Sequence, residues 1–330
     1  MIIEVSADGN GDFTKVQDAI DHVPDNNASP VTIRIKPGVY KEKLHVAKPF
    51  ITLLGEGKNA QEVVLTFDDC ANKTMPDGEP YGTFRSYSIF IGADHFSAEL
   101  ITFENSAGPG RLVGQALAAY VDGDRAIFRR CRFLGYQDTL FTGPLPPEPM
   151  KPGSFAGPRG GQSPRNTRQY YEDCYIEGDV DFIFGSATAL FLRCELFSKN
   201  RLSAEQGGIN GWYTAASTPE NIPYGYVFLD CKLTSDTPPR TVLLGRPWRN
   251  YAKTAFICCW MGEHIHQDGW DNWNKPEAEA TASYCEYGST GPGVGTGGRV
   301  SWSKRLGDRE AAMYAPAIVL AGDDGWNPFE

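Results

Sequence analysis

Four runs of this chain repeat one pattern. Ile127-Phe128-Arg129-Arg130-Cys131-Arg132-Phe133, Tyr170-Tyr171-Glu172-Asp173-Cys174-Tyr175-Ile176, Leu190-Phe191-Leu192-Arg193-Cys194-Glu195-Leu196 and Val227-Phe228-Leu229-Asp230-Cys231-Lys232-Leu233 each set a cysteine among charged residues and flank it with apolar ones. Cys174 and Cys194 stand 20 residues apart, whereas the longer interval from Cys131 to Cys174 holds a Pro/Gly-rich stretch from about Gly143 to Arg168. A unit that short cannot bury its own apolar face, so successive copies must stack on one another. One strand signature per unit predicts an all-β solenoid, a right-handed parallel β-helix whose strands lie about 4.8 Å apart. The cysteines then form an interior ladder, because a free thiol packs as a small hydrophobe. A disulfide between stacked neighbours such as Cys174 and Cys194 is the alternative under oxidising conditions. Cys258 and Cys259 point to opposite faces of any strand that contains both.

The remaining runs agree with this reading. Residues 31–35, 51–54, 63–66, 88–91, 98–103 and 126–133 read as strands, and long helical periodicity is nearly absent. One helix is expected, at residues 14–23. Thr14 and Gln17 form a capping-box pattern, Phe13 sits where a hydrophobic staple would, and Val16, Ala19, Ile20 and Val23 share a face before Pro24 stops the helix. This helix is expected to cap the open N-terminal end, where strand edges would otherwise invite aggregation. Residues 1–330 read as a single domain with an inserted loop at about 143–168.

The chain carries 41 acidic against 31 basic residues, a formal charge of -10. That balance argues against a nucleic-acid partner, and any polyanionic substrate must be met by a local basic patch. No apolar run approaches the roughly 20 residues of a membrane helix, and the N-terminus shows no signal-peptide pattern. The expectation is a monomer with no membrane partner, cytoplasmic as written, or secreted if a leader was removed.

Three strings carry the chemistry: Gln137-Asp138-Thr139-Leu140, Asp181-Phe182-Ile183-Phe184-Gly185 and Leu244-Gly245-Arg246-Pro247-Trp248. Two carboxylates and a guanidinium converging on a groove make an acid/base and nucleophile set that needs neither metal nor cofactor. The chain lacks a Gly-x-Ser-x-Gly elbow, a His-Glu-x-x-His helix and a Walker loop. His264 and His266 could share a strand face like metal ligands, but no third partner is identifiable, so no metal and no cofactor are expected.

These strings, with Gly114-Gln115-Ala116 before them and Gly178-Asp179-Val180 leading into the second, resemble in order the signature blocks of the pectin methylesterases. The likeness reaches both ends, from Asp8-Gly9-Asn10-Gly11-Asp12-Phe13 to Tyr284-Cys285-Glu286-Tyr287 and Arg299-Val300-Ser301-Trp302. It implies a right-handed parallel β-helix and hydrolysis of the C6 methyl esters of galacturonate residues in pectin or methylated oligogalacturonides, releasing methanol. Carried over by position, Asp181 is expected to be the nucleophile and Asp138 the general acid and later base. Arg246 would hold Asp181 ionised, and Gln115 and Gln137 would donate to the oxyanion. Phe184, Trp248 and Tyr136 are expected to bind the sugar. Taken singly, an Asp beside an Arg is more often a structural ion pair; the ordered set favours catalysis.

Two departures stand out. Asp179 occupies a position where the family commonly has a small or neutral residue, and should either raise nearby pKa values or turn to solvent. The interval from Asp138 to Asp181 is 43 residues, longer than the family leads one to expect. The excess should wall one end of the cleft, with Lys151, Arg159, Arg165 and Arg168 meeting substrate carboxylates. Rival readings are a β-helix glycosidase or lyase acting on the same polymer, and a non-catalytic carbohydrate-binding β-helix.

Overall fold

In the computed structural model, which describes residues 1–203, 206–295 and 297–329, the chain winds as a right-handed parallel β-helix. Each full coil contributes a strand to three parallel sheets of eleven, seven and eight strands. The seven-stranded sheet runs from Leu44–Val46 through Ile89–Ile91, Ala119–Val121, Leu140–Thr142, Val180–Gly185 and Gly211–Ala216 to Val242–Pro247.

The cysteine runs are not single strands. Residues 126–133 divide into Ala126–Arg129 and Arg132–Leu134, which belong to different sheets, and residues 98–103 divide in the same way. The chain turns a corner at the residue before the cysteine. Arg130, Asp173, Arg193, Asp230 and Cys258 all hold φ between 51° and 55°, the left-handed region, and Leu100 does so one coil earlier at 56°. Such a residue ends one strand and starts the next within two positions, which strand alternation alone does not foresee.

The ladder itself is present. Cys131, Cys174, Cys194, Cys231 and Cys259 are buried, and each thiol hydrogen-bonds the carbonyl two residues before it, closing the corner. All eight cysteines are free thiols, so no bridge joins Cys174 to Cys194. Cys258 is exposed and Cys259 buried, but no strand contains either: they form the corner between Lys253–Ile257 and Trp260–Met261. Three residues before each ladder cysteine stands an aromatic ring, and register stacks these rings. Phe128, Tyr171, Phe191, Phe228 and Phe256 follow one another at 4.5–4.9 Å with nearly parallel planes.

The helix is shorter than expected, Val16–His22, and its cap comes from elsewhere. Thr14 makes no capping bond; instead the Glu42 carboxylate accepts from the backbone of Val16 and Gln17. The Gln17 amide both accepts from and donates to the backbone of His45, pairing with the open edge of the strand Leu44–Val46 as a neighbouring strand would. Val16, Ala19, Ile20 and Val23 are buried over the end of the core.

Candidate active site

Along the outer face of the seven-stranded sheet, parallel register sets residues in a row: His45, Phe90, Tyr120, Phe141, Phe184, Ala215 and Arg246. Outward side chains in regular strands recur every second residue, so extra backbone geometry is needed to bring the two carboxylates to this row. Two local departures supply it. Asp138 lies just ahead of Leu140–Thr142 with φ 63°, its N–H donating to the Val180 carbonyl at 3.0 Å. Asp181 has φ 50°, and register against the next strand slips between Val180 and Ile183, a bulge. Aspartate enters this backbone region more readily than a bulky side chain does. These departures let Gln137 and both carboxylates border one cavity.

That cavity has a volume of about 370 Å³ and takes its lining from both carboxylates, Arg246, Gln115, Gln137, Phe184 and Trp248, among others. Arg246 donates Nε to one Asp181 oxygen at 2.8 Å and Nη2 to the other at 2.7 Å. Its guanidinium is stacked between the rings of Trp212 and Trp273, 3.9 and 3.8 Å from their centroids. Gly245 lets the strand carry Arg246 this close to its neighbour, since a Cβ there would meet Thr214 Oγ1 at 2.1 Å.

The two carboxylates differ in electrostatics. Burial pushes the Asp138 carboxyl well above the usual range, the charge of Asp181 pushes it further, and its oxygens have no hydrogen-bond partner among the described residues. Burial raises Asp181 too, but the charge of Arg246 and its two hydrogen bonds oppose that rise. Of the pair, Asp138 keeps its proton the more firmly and Asp181 gives one up more readily. The Gln115 and Gln137 side-chain amides border the same space and make no hydrogen bond among the described residues, leaving their N–H groups available.

Phe184 is buried, packed between Phe141 and Trp248 at 5.0 and 5.7 Å, and Trp248 is partly open to the cavity. Tyr136 does not line it. Its ring carries the Lys199 ammonium 3.7 Å from the centroid, and that lysine also binds Glu177. Trp212, Trp273 and Lys275 were not legible as site residues. Lys275 donates to the Pro247 and Trp248 carbonyls, and burial, then the charges of Arg249 and Arg246, lower its pKa to about 8. A tryptophan amid polar neighbours, as in Asp271-Asn272-Trp273-Asn274, was the available signal.

Asp179 is not turned to solvent. It is buried, accepts from the Val180 N–H at 2.7 Å, and its charge is among the influences that raise Asp138. Of the four basic residues in the inserted stretch, only Lys151 reaches the cavity. Arg159 pairs with Asp122, Arg165 with Asp94, and Arg168 with Asp124 and Asp324, so those three tie the structure together. His264 is buried against the Tyr213 hydroxyl at 2.7 Å, its pKa lowered by burial to about 4, while His266 faces Asp268. The two imidazoles do not converge.

A family model described as Pectinesterase matches residues 2–144 and 162–323, leaving 145–161 unmatched. Pectinesterase 31 of Arabidopsis thaliana is 37% identical over 318 residues, covering 95% of this chain and 90% of the relative. Pectin methylesterase PemA from Erwinia chrysanthemi superposes with a TM-score of 0.80 at 31% identity, covering 99% of this chain and 98% of the other. The pectin methylesterase from carrot gives 0.79, also at 31% identity, over 97% and 93%. A further pectin methylesterase, solved in complex with a hexasaccharide, gives 0.81 at 31% identity, over 99% and 98%.

Proposed function

The chain belongs to the pectinesterase family, and from that premise we propose that it removes C6 methyl esters from the galacturonate residues of pectin or methylated oligogalacturonides. The observation that carries the mechanism is the asymmetry of the buried pair: Asp181 held by Nε and Nη2 of Arg246, Asp138 without a hydrogen-bond partner among the described residues.

Asp181 attacks the ester carbonyl carbon. The oxygen of that carbonyl gains negative charge and is met by the amide N–H groups of Gln115 and Gln137, each worth about 3 kcal/mol of transition-state stabilisation. As the C–O bond to methoxide breaks, Asp138 gives it its proton, and methanol leaves an anhydride between Asp181 and the sugar carboxyl. Asp138, now a carboxylate, takes a proton from a water that attacks the same sugar carbon. Asp181 departs as carboxylate, and Asp138 is again protonated. Trp248, with Phe184 packed beneath it, supplies an aromatic wall for the sugar ring.

Methanol release from methylated oligogalacturonides of defined length, with Asp181→Ala as control, tests this reading. Methanol with unchanged chain length supports it; new reducing or unsaturated ends without methanol indicate the glycosidase or lyase instead.

A further inference from the structure

We propose that the inserted segment makes this protein an esterase of short methylated oligogalacturonides, or of chain ends, by blocking one end of the cleft. This rests on the esterase reading above and deepens it. Residues 145–161 lie outside the matched family model.

The row of outward residues on the seven-stranded sheet is the floor on which an extended sugar chain would lie past the catalytic pair. On the N-terminal side that floor is covered from Phe141 as far as Phe90, with His45 exposed beyond. Phe90, Tyr120 and Phe141 are at most 3% exposed. Phe84 covers Tyr120 and Phe141, and Phe155 of the insertion packs on Phe84 at 5.5 Å and on Trp248 at 6.0 Å. Gly157 presses on the backbone of Phe84, where a Cβ would come within 2.6 Å of its carbonyl oxygen. Arg159 lies over the Phe90 ring at 5.6 Å.

The cover is fastened at several points. Arg159 pairs with buried Asp122 and donates to the Gly92 carbonyl at 2.6 Å; Arg165 grips Asp94 with two bonds; Arg249 holds the Glu148 carbonyl at 3.0 Å. At its base the Thr167 hydroxyl donates to the Gly143 carbonyl at 2.5 Å. A segment tied to the coils at residues 92–94 and 122 is a fixed wall, and its Met150, Lys151, Ser154 and Phe155 border the catalytic cavity directly. A chain bound with its reacting ester beside Asp181 therefore has room for few further sugars on this side. Lys151 makes no ion pair among the described residues, and its ammonium is placed to meet the free carboxylate of a sugar at that closed end.

The test compares kcat/KM per methyl ester for the intact wild-type protein on methylated tri- to hexagalacturonides and on highly methylated polymer. The expected ratio favours the oligomers by about tenfold or more, the scale on which one binding site discriminates by steric fit. Replacing residues 146–161 by a short Gly/Ser linker is expected to bring that ratio to near one, and Lys151→Met to raise KM for partly de-esterified oligomers with kcat little changed. Equal efficiency of the wild type on oligomer and polymer overturns the inference while leaving the esterase reading intact. No methanol from either substrate overturns both. Because the length dependence is read on the wild type, a linker variant that fails to fold does not decide the matter.

Discussion

Arg246→Lys isolates what the guanidinium does for Asp181. The substitution keeps a positive charge but exchanges a planar fork for a point donor. In the wild type, Nε and Nη2 each bond one oxygen of Asp181, and two tryptophan rings clamp the plane. Lysine can replace one of these bonds. The lost charge-assisted bond is worth about 1.5–3 kcal/mol. The weakened ring contacts add about 0.5–1 kcal/mol. Together these amount to about 2–4 kcal/mol, or a fall of roughly 30- to 1000-fold in kcat/KM at 1.4 kcal/mol per decade. The assay is initial-rate methanol release across pH, with Arg246→Met in parallel. Activity needs Asp181 ionised, and Arg246 is the main influence opposing the rise that burial causes, the charge of Lys275 being a smaller one. The acidic limb of the kcat/KM profile for Arg246→Met should therefore move to higher pH. Activity of Arg246→Lys within threefold of wild type, or an acidic limb that stays in place in Arg246→Met, would refute the reasoning.

Further outcomes are expected. Gln115→Ala and Gln137→Ala should each lower kcat about 10²- to 10³-fold with little change in KM, measured by steady-state methanol release. Asp138→Asn should abolish turnover yet stabilise the fold at neutral pH. The folded-state pKa of Asp138 is raised, so the native protein binds more protons than the unfolded chain and loses stability as pH climbs past the ordinary carboxylate range. Denaturant melts should show the variant's advantage absent at acid pH and growing upward. Asp179→Asn removes one charge that raises Asp138, so the alkaline limb, which needs Asp138 protonated, should move to lower pH; an unmoved limb removes Asp179 from the electrostatics. Glu42→Ala should cost about 1 kcal/mol in denaturant unfolding through loss of the helix cap, with unchanged kcat.

The solenoid was legible because stacked coils force equivalent residues into register, and Cys131, Cys174, Cys194 and Cys231 mark that register in the sequence. The corners were not. A residue such as Arg130 reads as an ordinary strand position, and only its left-handed φ reveals that the strand ends there. The helix cap failed for a related reason: Thr14 and Gln17 satisfy the local rule, but Glu42, distant in sequence, lies in the adjoining coil and takes the bonds. At the site, Asp138, Asp181, Arg246, Gln115 and Gln137 meet as expected, since ordered motifs encode them. Tyr136 fell outside because the same turn that aims Asp138 inward leaves its ring under Lys199. Arg159, Arg165 and Arg168 read as free positive charge in the sequence, where their acidic partners on other coils cannot be seen.

The mechanism requires an ester to sit between the two carboxylates. A crystal structure of the Asp181→Asn variant with a methylated oligogalacturonide measures this directly. The ester carbonyl carbon is expected about 3–3.5 Å from the residue 181 side chain, its oxygen toward the amides of Gln115 and Gln137 and its methoxyl toward Asp138. An ester bound out of reach of residue 181, or with its methoxyl turned away from Asp138, contradicts the mechanism.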